Sequence, residues 1–411
     1  MTTTDRLKSV LSQINPATSA VDQICQKNPD DVVITLAIRT PLCKYKKGGM
    51  KDTTLDDMVF KLLEQVRAKC GIDPAQVDDI CLGNVNEGRA AHYCRAAALA
   101  AGFPNTTAAS SSSRFCSSGL TATCHIANEI ASGMIDVGIA IGAESLSEGN
   151  QRLPRAFADN IMKDREAEDC MLPMGITSEN VASDFNITRD EQDRYAVESY
   201  KRAEAAQKAG LFNDELVPIT VKKDGQDLLI SQDEVRWGTT FENINKLKPS
   251  FTKDGKSTPG NSSQITDGAA ALVLMRRSKA LELGQPILGK YVATSIAGLA
   301  PRIMGIGPSI VIPKLLSRLG LDLHKDVDVV EINEAFASMA VYCRDKLEVD
   351  WSKMNPRGGA IALGHPFGMT GVRQIVTGLS ECRRTKKKVL LTSMCLGTGM
   401  GMAGVFVNEA L

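Results

Sequence analysis

Residues 114–119 read Arg-Phe-Cys-Ser-Ser-Gly and join a Ser-rich segment to an apolar run with helical spacing over 120–134. This pattern predicts a strand, a sharp turn and a helix, with Cys116 at the helix N-terminus. The helix dipole and free backbone N–H groups there favour an anion, so we expect the pKa of the thiol to be lowered. Cys116 is therefore a candidate nucleophile. A buried structural thiol fits the hexapeptide alone equally well.

The sequence around Cys116 recurs in the second half of the chain at a constant offset of 249 residues. Three pairs illustrate the offset: Asp79 with Asp328, Asn84 with Asn333, and Cys116 with His365. A constant offset of this kind predicts two copies of one fold. If the two copies pack about a pseudo-twofold axis, Cys116 and His365 meet at the interface between them.

Differences in charge and in hydrophobic periodicity divide the chain into four segments. Residues 1–30 are polar and form an N-terminal extension, while 31–148 and 276–411 alternate strand and helix patterns. This alternation predicts an α/β fold with a mostly parallel sheet in each half. Residues 149–275 are more charged, and a capping box at 188–191 starts an amphipathic helix there, so we expect a helical insertion.

The composition is that of a globular enzyme with no charge bias. The formal net charge is zero, with 43% hydrophobic and 23% charged residues, which argues against nucleic acid or an anionic membrane as the main partner. No apolar run is long enough for a membrane span, so we expect a protein that is not membrane-embedded. The 11 cysteines include no Cys-x-x-Cys pair. We therefore expect free thiols in a reducing compartment, with no zinc site and no disulfide framework.

Three further residues complete a candidate constellation. His365 lies in a Gly-His-Pro-Phe-Gly segment; a lone histidine is more often structural, but its pairing with Cys116 favours a catalytic role. Cys395 ends a predicted strand and is followed by glycines at alternate positions, which suggests backbone held close to a ligand. Asn333 follows another predicted strand and could either orient an oxyanion or cap the next helix.

Five motifs together resemble the thiolase family, in the order in which that family has them. They are Arg-Phe-Cys-Ser-Ser-Gly (114–119), Gly-Ala-Glu-Ser (142–145), Asn-Glu-Ala-Phe (333–336), Gly-His-Pro-x-Gly (364–368) and Cys-x-Gly-Thr-Gly-Met-Gly (395–401). The resemblance extends from about residue 31 to the C-terminus. Segments 170–180 and 259–271 resemble the degradative 3-ketoacyl-CoA branch of the family. Together with the N-terminal segment described below, they make the fungal peroxisomal type the best resemblance.

The resemblance implies a thiolase fold, with two duplicated α/β halves in a five-layered αβαβα sandwich. Residues 149–275 then form a helical loop domain over the coenzyme A site. A homodimer is also implied, as is an acyltransferase that uses coenzyme A as a co-substrate and binds no cofactor tightly. The implied reaction is thiolytic cleavage of 3-ketoacyl-CoA by coenzyme A to acetyl-CoA and a shortened acyl-CoA, the last step of fatty acid β-oxidation.

The same resemblance implies the site residues. Cys116 is the nucleophile that becomes acylated, and His365 takes its proton. His365 and a water held by Asn333 stabilise the enolate oxygen, and the N–H groups of Cys116 and Gly397 form a second oxyanion hole. Cys395 protonates the enolate and then deprotonates coenzyme A, two opposite roles that suit a thiol with an ordinary pKa of about 8.5. Two residues have implied substrate-binding roles: Ser263 contacts coenzyme A and Met174 lines the pocket.

Three other activities share parts of this pattern. A decarboxylating ketoacyl synthase would carry a second histidine in place of Cys395, and the remaining histidines (His92, His125 and His324) are far from it in sequence. An acetoacetyl-CoA thiolase working in the condensation direction has the same catalytic set and differs in its acyl pocket. A non-catalytic acyl-CoA-binding protein predicts ligand binding without turnover, which the complete set of reactive residues disfavours.

The N-terminal extension carries an apolar stripe at positions 7, 10, 11 and 14, which fits one face of a short helix. Such a helix could dock on its own protein or be read by a receptor groove. The spacing within Arg6–Ile14 resembles the N-terminal peroxisomal targeting signal. This resemblance implies import into the peroxisome matrix by the receptor for that signal.

Overall fold

A computed structural model of the chain describes residues 19–149 and 156–410. The predicted targeting segment Arg6–Ile14 lies outside these residues. The first half begins after a short helix and alternates strands with helices, as predicted. Its elements are α1 (Ala20–Cys25), β1 (Val32–Arg39), β2 (Cys43–Lys44), α2 (Leu55–Cys70), β3 (Asp79–Gly83), α3 (Ala90–Ala100), β4 (Ala108–Ser112), α4 (Ser118–Ser132) and β5 (Val137–Glu144).

A mainly helical insertion follows β5. It contains α5 (Arg165–Asp169), α6 (Met174–Asp184), α7 (Arg189–Lys208), the hairpin β6 (Ile219–Lys223) and β7 (Gln226–Ile230), and α8 (Phe241–Asn245). The predicted capping box is present, because the Thr188 hydroxyl accepts from the Glu191 N–H and the Glu191 carboxylate accepts from the Thr188 N–H at 2.7 Å. The next strand, β8 (Thr266–Arg276), lies in the core sheet although it falls within the predicted insertion range 149–275. We therefore end the insertion before Thr266 and assign β8 to the first half.

The second half repeats the strand and helix alternation. Its elements are α9 (Arg277–Glu282), β9 (Gly289–Gly298), α10 (Gly307–Leu319), β10 (Val329–Ile332), α11 (Ala337–Lys346), α12 (Ala360–Leu363), α13 (Thr370–Thr385), β11 (Val389–Leu396) and β12 (Met400–Asn408). Residues Thr370–Cys382 of α13 are buried throughout, so this helix lies in the interior of the molecule. Its N-terminus directly follows the His365 segment.

The strands outside the insertion form one continuous sheet in the order β10-β11-β12-β9-β1-β8-β5-β3-β4, with β2 paired to β8, and β6 and β7 form a separate hairpin. The two halves join where β1 pairs with β9 over two residues. Only β10 with β11, and β3 with β4 and β5, are parallel. The prediction of a mostly parallel sheet is therefore wrong, because β8 and β12 run antiparallel to the strands on both of their sides.

Helices and the two parts of the sheet form five layers. Helices α4 and α13 pack against each other in the centre, α4 on β3 and β5 and α13 on β10 and β11. Helices α2 and α3 cover the outer face of the first part of the sheet, and α10, flanked by α11, covers the second. This αβαβα arrangement confirms the predicted fold class. It also places the N-termini of α4 and α13, and hence the segments before them, at the interface of the two halves.

The internal repeat is real, but its offset changes by one residue along the strands. Asp328 accepts from the N–H groups of Lys388 and Val389 at the start of β11. In the first half the same role belongs to Asp78, which accepts from the N–H groups at the start of β5. Asp78, rather than the predicted Asp79, is therefore the counterpart of Asp328. The first half has one more residue than the second between this carboxylate and the asparagine that follows the strand.

Three chemical features of the described residues bear on function. No helix in 19–149 and 156–410 is long and apolar enough to cross a membrane. Within the same ranges no three His, Cys, Asp or Glu side chains converge on a point where a metal ion could be held. All 11 cysteines of the chain are free thiols, and the chemistry of the site is therefore that of unpaired sulfur.

Candidate active site

The turn between β4 and α4 presents Cys116. Phe115 adopts the left-handed backbone conformation, with φ of 46°, which costs a non-glycine residue about 1–3 kcal/mol. Ser118 holds the turn by two hydrogen bonds: its hydroxyl donates to the Phe115 carbonyl at 2.6 Å and accepts from the Arg114 N–H at 2.9 Å. The predicted strand, turn and helix are thus present, and helix α4 begins two residues after Cys116.

The electrostatic environment of Cys116 differs from the prediction. The residue keeps part of its surface exposed, yet burial of the sulfur raises the pKa of the thiol to about 12. The N–H groups of Cys116 and Gly397 donate toward the sulfur and oppose this shift, while the charge of Glu144 adds to it. The expected lowering of the pKa is therefore wrong, because the helix terminus is outweighed by desolvation. Cys116 is a neutral thiol at neutral pH and requires a base.

Gly397 reaches Cys116 through a tight turn between β11 and β12. Thr398 and Gly399 have φ of 66° and 82°, and a Cβ on Gly399 would lie 2.2 Å from the Leu299 carbonyl oxygen. Only glycine fits there, so Gly399 holds the backbone close to another part of the chain, whereas the expected approach to a ligand stays a prediction. The turn aims the Gly397 N–H at the sulfur of Cys116. The N–H groups of Cys116 and Gly397 thus point at the same sulfur, and their role as oxyanion donors stays a prediction.

Cys395 lies at the end of β11 in a small apolar cluster separate from the main core. Its neighbours include Met304, Ala335 and Met339, whose sulfur is 4.0 Å from the Cys395 sulfur. Burial, and next the charge of Cys116, raise the pKa of Cys395 well above its ordinary value. The two thiols are thus close enough to influence each other's ionisation. Cys395 is protonated at neutral pH and can act as an acid.

His365 is buried between Asn333 and Thr370. Its Nδ1 lies 2.6 Å from the Thr370 hydroxyl oxygen, and Nε2 lies 3.3 Å from Nδ2 of Asn333. Since Thr370 donates its only proton to the Pro366 carbonyl at 3.0 Å, its oxygen can only accept from Nδ1–H. The proton of the neutral imidazole is therefore on Nδ1. Nε2 carries the lone pair that a general base needs.

Burial also sets the charge of His365. It lowers the pKa of the imidazole to about 3, and the nearby Arg373 cation lowers it further in the same direction. The ring is therefore neutral at neutral pH. A neutral imidazole and a neutral thiol are the protonation states from which a Cys–His pair starts when proton transfer accompanies nucleophilic attack.

Asn333 follows β10 and is buried, with its N–H donating to the Ser393 carbonyl at 2.9 Å. Helix α11 begins at Ala337 and its N-cap is Phe336, so Asn333 does not cap it. Nδ2 faces the imidazole, whereas Oδ1 has no hydrogen-bond partner among the described residues. The side chain is therefore available to bind a polar group beside His365, rather than being used to start a helix.

The insertion brings Met174 and Ser263 to the same site. Met174 is the first residue of α6, and its sulfur is 3.7 Å from where a Cβ on Gly397 would be. Ser263 donates its backbone N–H to the Ala335 carbonyl at 3.0 Å, and its side chain is partly exposed. The following residue, Gln264, accepts from the His365 N–H at 2.9 Å. Both residues therefore lie at the edge of the site.

Cys116 and His365 reach the site from different halves. Among the described residues, no direct hydrogen bond joins the two side chains. Their segments meet through backbone, since a Cβ on Gly119 would lie 2.5 Å from the Gly368 carbonyl oxygen. Sequence reasoning did not identify Thr370 or the buried Glu144 as parts of the site. The internal repeat could have drawn attention to Thr370, because the offset of 249 residues pairs it with a threonine in the first half.

Comparisons with known proteins match this geometry. The model of the thiolase N-terminal domain matches residues 32–278, and that of the thiolase C-terminal domain matches 285–408. The peroxisomal 3-ketoacyl-CoA thiolase of Yarrowia lipolytica is 48% identical over 417 residues, covering 98% of this chain and 100% of that protein.

Solved thiolase structures are also similar to this chain. The dimeric peroxisomal thiolase of Saccharomyces cerevisiae has a TM-score of 0.89 at 42% identity, covering 94% of this chain and 100% of that one. Human mitochondrial 3-ketoacyl-CoA thiolase in complex with CoA has a TM-score of 0.83 at 35% identity, covering 92% of this chain and 98% of that one. The chain belongs to the thiolase family.

Proposed function

We propose that the protein is a 3-ketoacyl-CoA thiolase of the peroxisome. It cleaves 3-ketoacyl-CoA with coenzyme A to acetyl-CoA and a shortened acyl-CoA, the last step of fatty acid β-oxidation. Relatives of that name and location, 45–48% identical over nearly the whole chain, support the assignment. The observation that carries the chemistry is the meeting of Cys116 with Cys395 and the Gly397 N–H in one half-buried site.

Acylation begins with proton transfer from Cys116 to Nε2 of His365 as the sulfur attacks the 3-keto carbon. The N–H groups of Cys116 and Gly397 stabilise the oxyanion that forms on that carbon. The carbon–carbon bond then breaks, and its electron pair becomes the enolate of acetyl-CoA. His365, now protonated, and a water held by Asn333 stabilise the enolate oxygen. Cys395 gives its proton to the enolate carbon, and acetyl-CoA leaves.

Thiolysis of the acyl-enzyme reverses the proton flow. Cys395, now a thiolate, takes the proton of the incoming coenzyme A thiol. The coenzyme A sulfur attacks the thioester carbonyl, whose oxygen again faces the N–H groups of Cys116 and Gly397. Cys116 departs as a thiolate and recovers its proton from His365. Atoms and charges return to the starting state, with neutral Cys116, His365 and Cys395.

Coenzyme A is the co-substrate, and its site lies under the insertion. Support comes from the solved human relative in complex with CoA and from Met174 and Ser263, which the insertion brings to the edge of the site. The protein forms a homodimer, in line with the dimeric yeast relative. The import receptor for the N-terminal peroxisomal signal recognises Arg6–Ile14.

Purified enzyme assayed with 3-ketoacyl-CoA substrates of increasing chain length tests the proposal. We expect thiolysis by the wild type, and mass spectrometry should locate the acyl adduct on Cys116. Cys116→Ala should abolish turnover, whereas Cys25→Ala, a matched loss of a partly exposed thiol in α1, should leave the rate unchanged. Substrate binding by the wild type without any turnover would refute the proposed activity.

Cys395→Ser separates the two chemical steps. A serine hydroxyl is far less acidic than a thiol, so protonation of the enolate and deprotonation of coenzyme A should both be slowed. Carbon–carbon cleavage should fall by about a hundredfold or more, the usual size of a general acid–base contribution. Acylation of Cys116 by a simple acyl-CoA should be better preserved. Equal loss of both reactions would contradict the separate role of Cys395.

A further inference from the structure

The Gly-Ala-Glu-Ser motif at 142–145 contains a buried carboxylate that the proposed reaction does not use. Glu144 ends β5, and only 1% of its surface is exposed. A buried carboxylate is costly unless its oxygens are fully hydrogen-bonded. The bonds that Glu144 makes therefore indicate what it holds in place.

Within the described residues Glu144 accepts four hydrogen bonds, and none comes from a cationic side chain. Oε1 accepts from Nδ2 of Asn84 and from the Asn86 N–H, both at 3.1 Å. Oε2 accepts from the Val85 N–H at 3.1 Å and from the Gly368 N–H at 2.9 Å. Three of the donors belong to the loop after β3, and the fourth belongs to the His365 segment. One carboxylate thus joins the two halves.

The Gly368 peptide enters a slot that the first half forms. A Cβ on Gly368 would lie 2.5 Å from the Gly83 carbonyl oxygen and 2.6 Å from that of Ala143. On the other side, a Cβ on Gly142 or Gly119 would lie 2.4 or 2.5 Å from the Gly368 carbonyl oxygen. The absence of side chains at these glycines lets the peptide come this close. Glu144 holds its N–H at the end of the slot.

Glu144 also has an equivalent residue in the second copy of the repeat. Gly83 of β3 is level with Gly142 of β5, and Ile332 of β10 is level with Ser393 of β11. Asn84 directly follows β3 and Asn333 directly follows β10. Two positions after the paired residues of β5 and β11 come Glu144 and Cys395. Glu144 therefore occupies in the first half the place that Cys395 occupies in the second. At this position the first half has the hydrogen-bonded carboxylate of Glu144, whereas the second half has Cys395, the proposed general acid.

We propose that Glu144 is a positioning residue for the thiolase reaction, which latches the His365 segment onto the first half and so holds the imidazole facing Cys116. The inference rests on the proposed function. Asn84 supports the latch, because its Nδ2 also donates to the Ala143 carbonyl at 2.9 Å. Glu144 makes no hydrogen bond to Cys116, His365 or Cys395 among the described residues. It holds the second half through the Gly368 N–H, and its charge also reaches the Cys116 thiol.

Glu144→Gln tests the latch with minimal change in shape. An amide nitrogen then replaces one carboxylate oxygen and meets N–H donors instead of accepting from them. We expect kcat for thiolysis to fall on the order of tenfold to a hundredfold, as for a small displacement of a catalytic group, with KM for coenzyme A changed by less than about twofold. Asp78→Asn is the matched control, since Asp78 accepts two N–H bonds at the opposite end of the same strands.

A second readout does not need turnover. The titratable groups that act electrostatically on the Cys116 thiol, or are acted on by it, are Glu144 and Cys395. Removing the Glu144 charge should shift the pH profile of Cys116 alkylation by iodoacetamide to lower pH, whereas Asp78→Asn should not. Circular dichroism and thermal unfolding establish that both variants fold, and Glu144→Asp provides a charged alternative if Glu144→Gln does not.

Two outcomes would overturn the inference. One is a Glu144→Gln enzyme that keeps kcat within about twofold of the wild type. The other is a loss of kcat no greater than that of Asp78→Asn, with an unchanged alkylation profile, because that result indicates general destabilisation. Failure of the proposed function itself is distinguishable, since wild-type enzyme would then show no thiolysis while Cys116 alkylation would still respond to Glu144.

Discussion

Replacing Thr370 with valine tests how the base is prepared. The substitution keeps the shape of the side chain and removes the hydroxyl that accepts from Nδ1–H of His365 at 2.6 Å. A buried donor without a partner costs about 1–3 kcal/mol, so the imidazole gains by moving its proton to Nε2. That tautomer cannot accept the Cys116 proton. Its Nε2–H can donate to Oδ1 of Asn333, which has no partner among the described residues, once the amide turns over.

The expected kinetic effect follows from the same numbers. If the base-competent tautomer loses about 1.4–2.8 kcal/mol, kcat falls about tenfold to a hundredfold. Steady-state thiolysis measures this loss, and nitrogen NMR of labelled histidine reports the tautomer directly. Thr370→Ser should restore most of the rate because it returns the hydroxyl. Thr121→Val, whose hydroxyl contacts only the Met402 sulfur at 3.4 Å, should stay within about twofold of the wild type.

The reasoning about Thr370 fails if the valine variant turns over at the wild-type rate. It also fails if His365 in that variant keeps its proton on Nδ1, since the hydroxyl would then not determine the tautomer. Loss of rate in both Thr370→Val and Thr370→Ser would point to packing at the start of α13 rather than to the hydrogen bond.

Three further perturbations test other parts of the structure. Gly399→Ala should destabilise the protein by about 1–3 kcal/mol and impair thiolysis, because φ is 82° there; unchanged melting temperature and rate would contradict this. Burial, followed by the charge of Asp79, raises the pKa of Glu129 in the folded protein. Ionisation of Glu129 therefore destabilises the folded state at pH values above the unfolded-state pKa of about 4.3. Glu129→Gln should therefore increase the free energy of unfolding at pH 8 and not at pH 3.5; denaturant titrations with equal effects at both values would refute the sign. Deleting residues 1–18 should leave thiolysis unchanged and keep a fluorescently tagged protein in the cytosol; peroxisomal import of the truncated protein would exclude the N-terminal signal.

The parts of the fold that depend on local pattern could be predicted from sequence. The strand, turn and helix around Cys116 follow from apolar spacing and small residues, and the capping box at 188–191 starts a helix as expected. The duplicated halves followed from the repeat, which also put Cys116 and His365 in equivalent places. Their contribution to one site is a consequence of two central helices that begin at the same interface.

Strand direction and the end of the insertion could not be predicted in this way. All residues of β8 except the last are buried. Because β8 directly follows a polar segment, the composition of the sequence placed it in the insertion. Whether a strand pairs parallel or antiparallel depends on neighbours far along the chain: β8 pairs with β1 and β5, and β12 with β9 and β11. The alternation of strand and helix along the sequence does not reveal that β8 and β12 run antiparallel to their neighbours.

The electrostatics of the site also depend on contacts across the molecule. The adjoining helix alone would lower the pKa of Cys116, but burial of the sulfur raises it, and this burial depends on residues far away in the sequence. Glu144 and Gly368 are 224 residues apart, and Thr370 becomes meaningful only once His365 is placed beside Asn333. Local sequence gives the chemical types present; the packed halves determine their protonation and orientation.

The slot that receives the Gly368 peptide has a consequence for biosynthesis. During translation the ribosome adds Cys116 249 residues before His365, a delay of roughly 10–50 s at ordinary elongation rates. Throughout that interval the nascent chain has a nucleophile without its base, because the groove between Gly83, Gly119 and Gly142 is still unfilled. Catalytic competence therefore arrives only after the His365 segment has been added, and a fragment released before it lacks the proposed base.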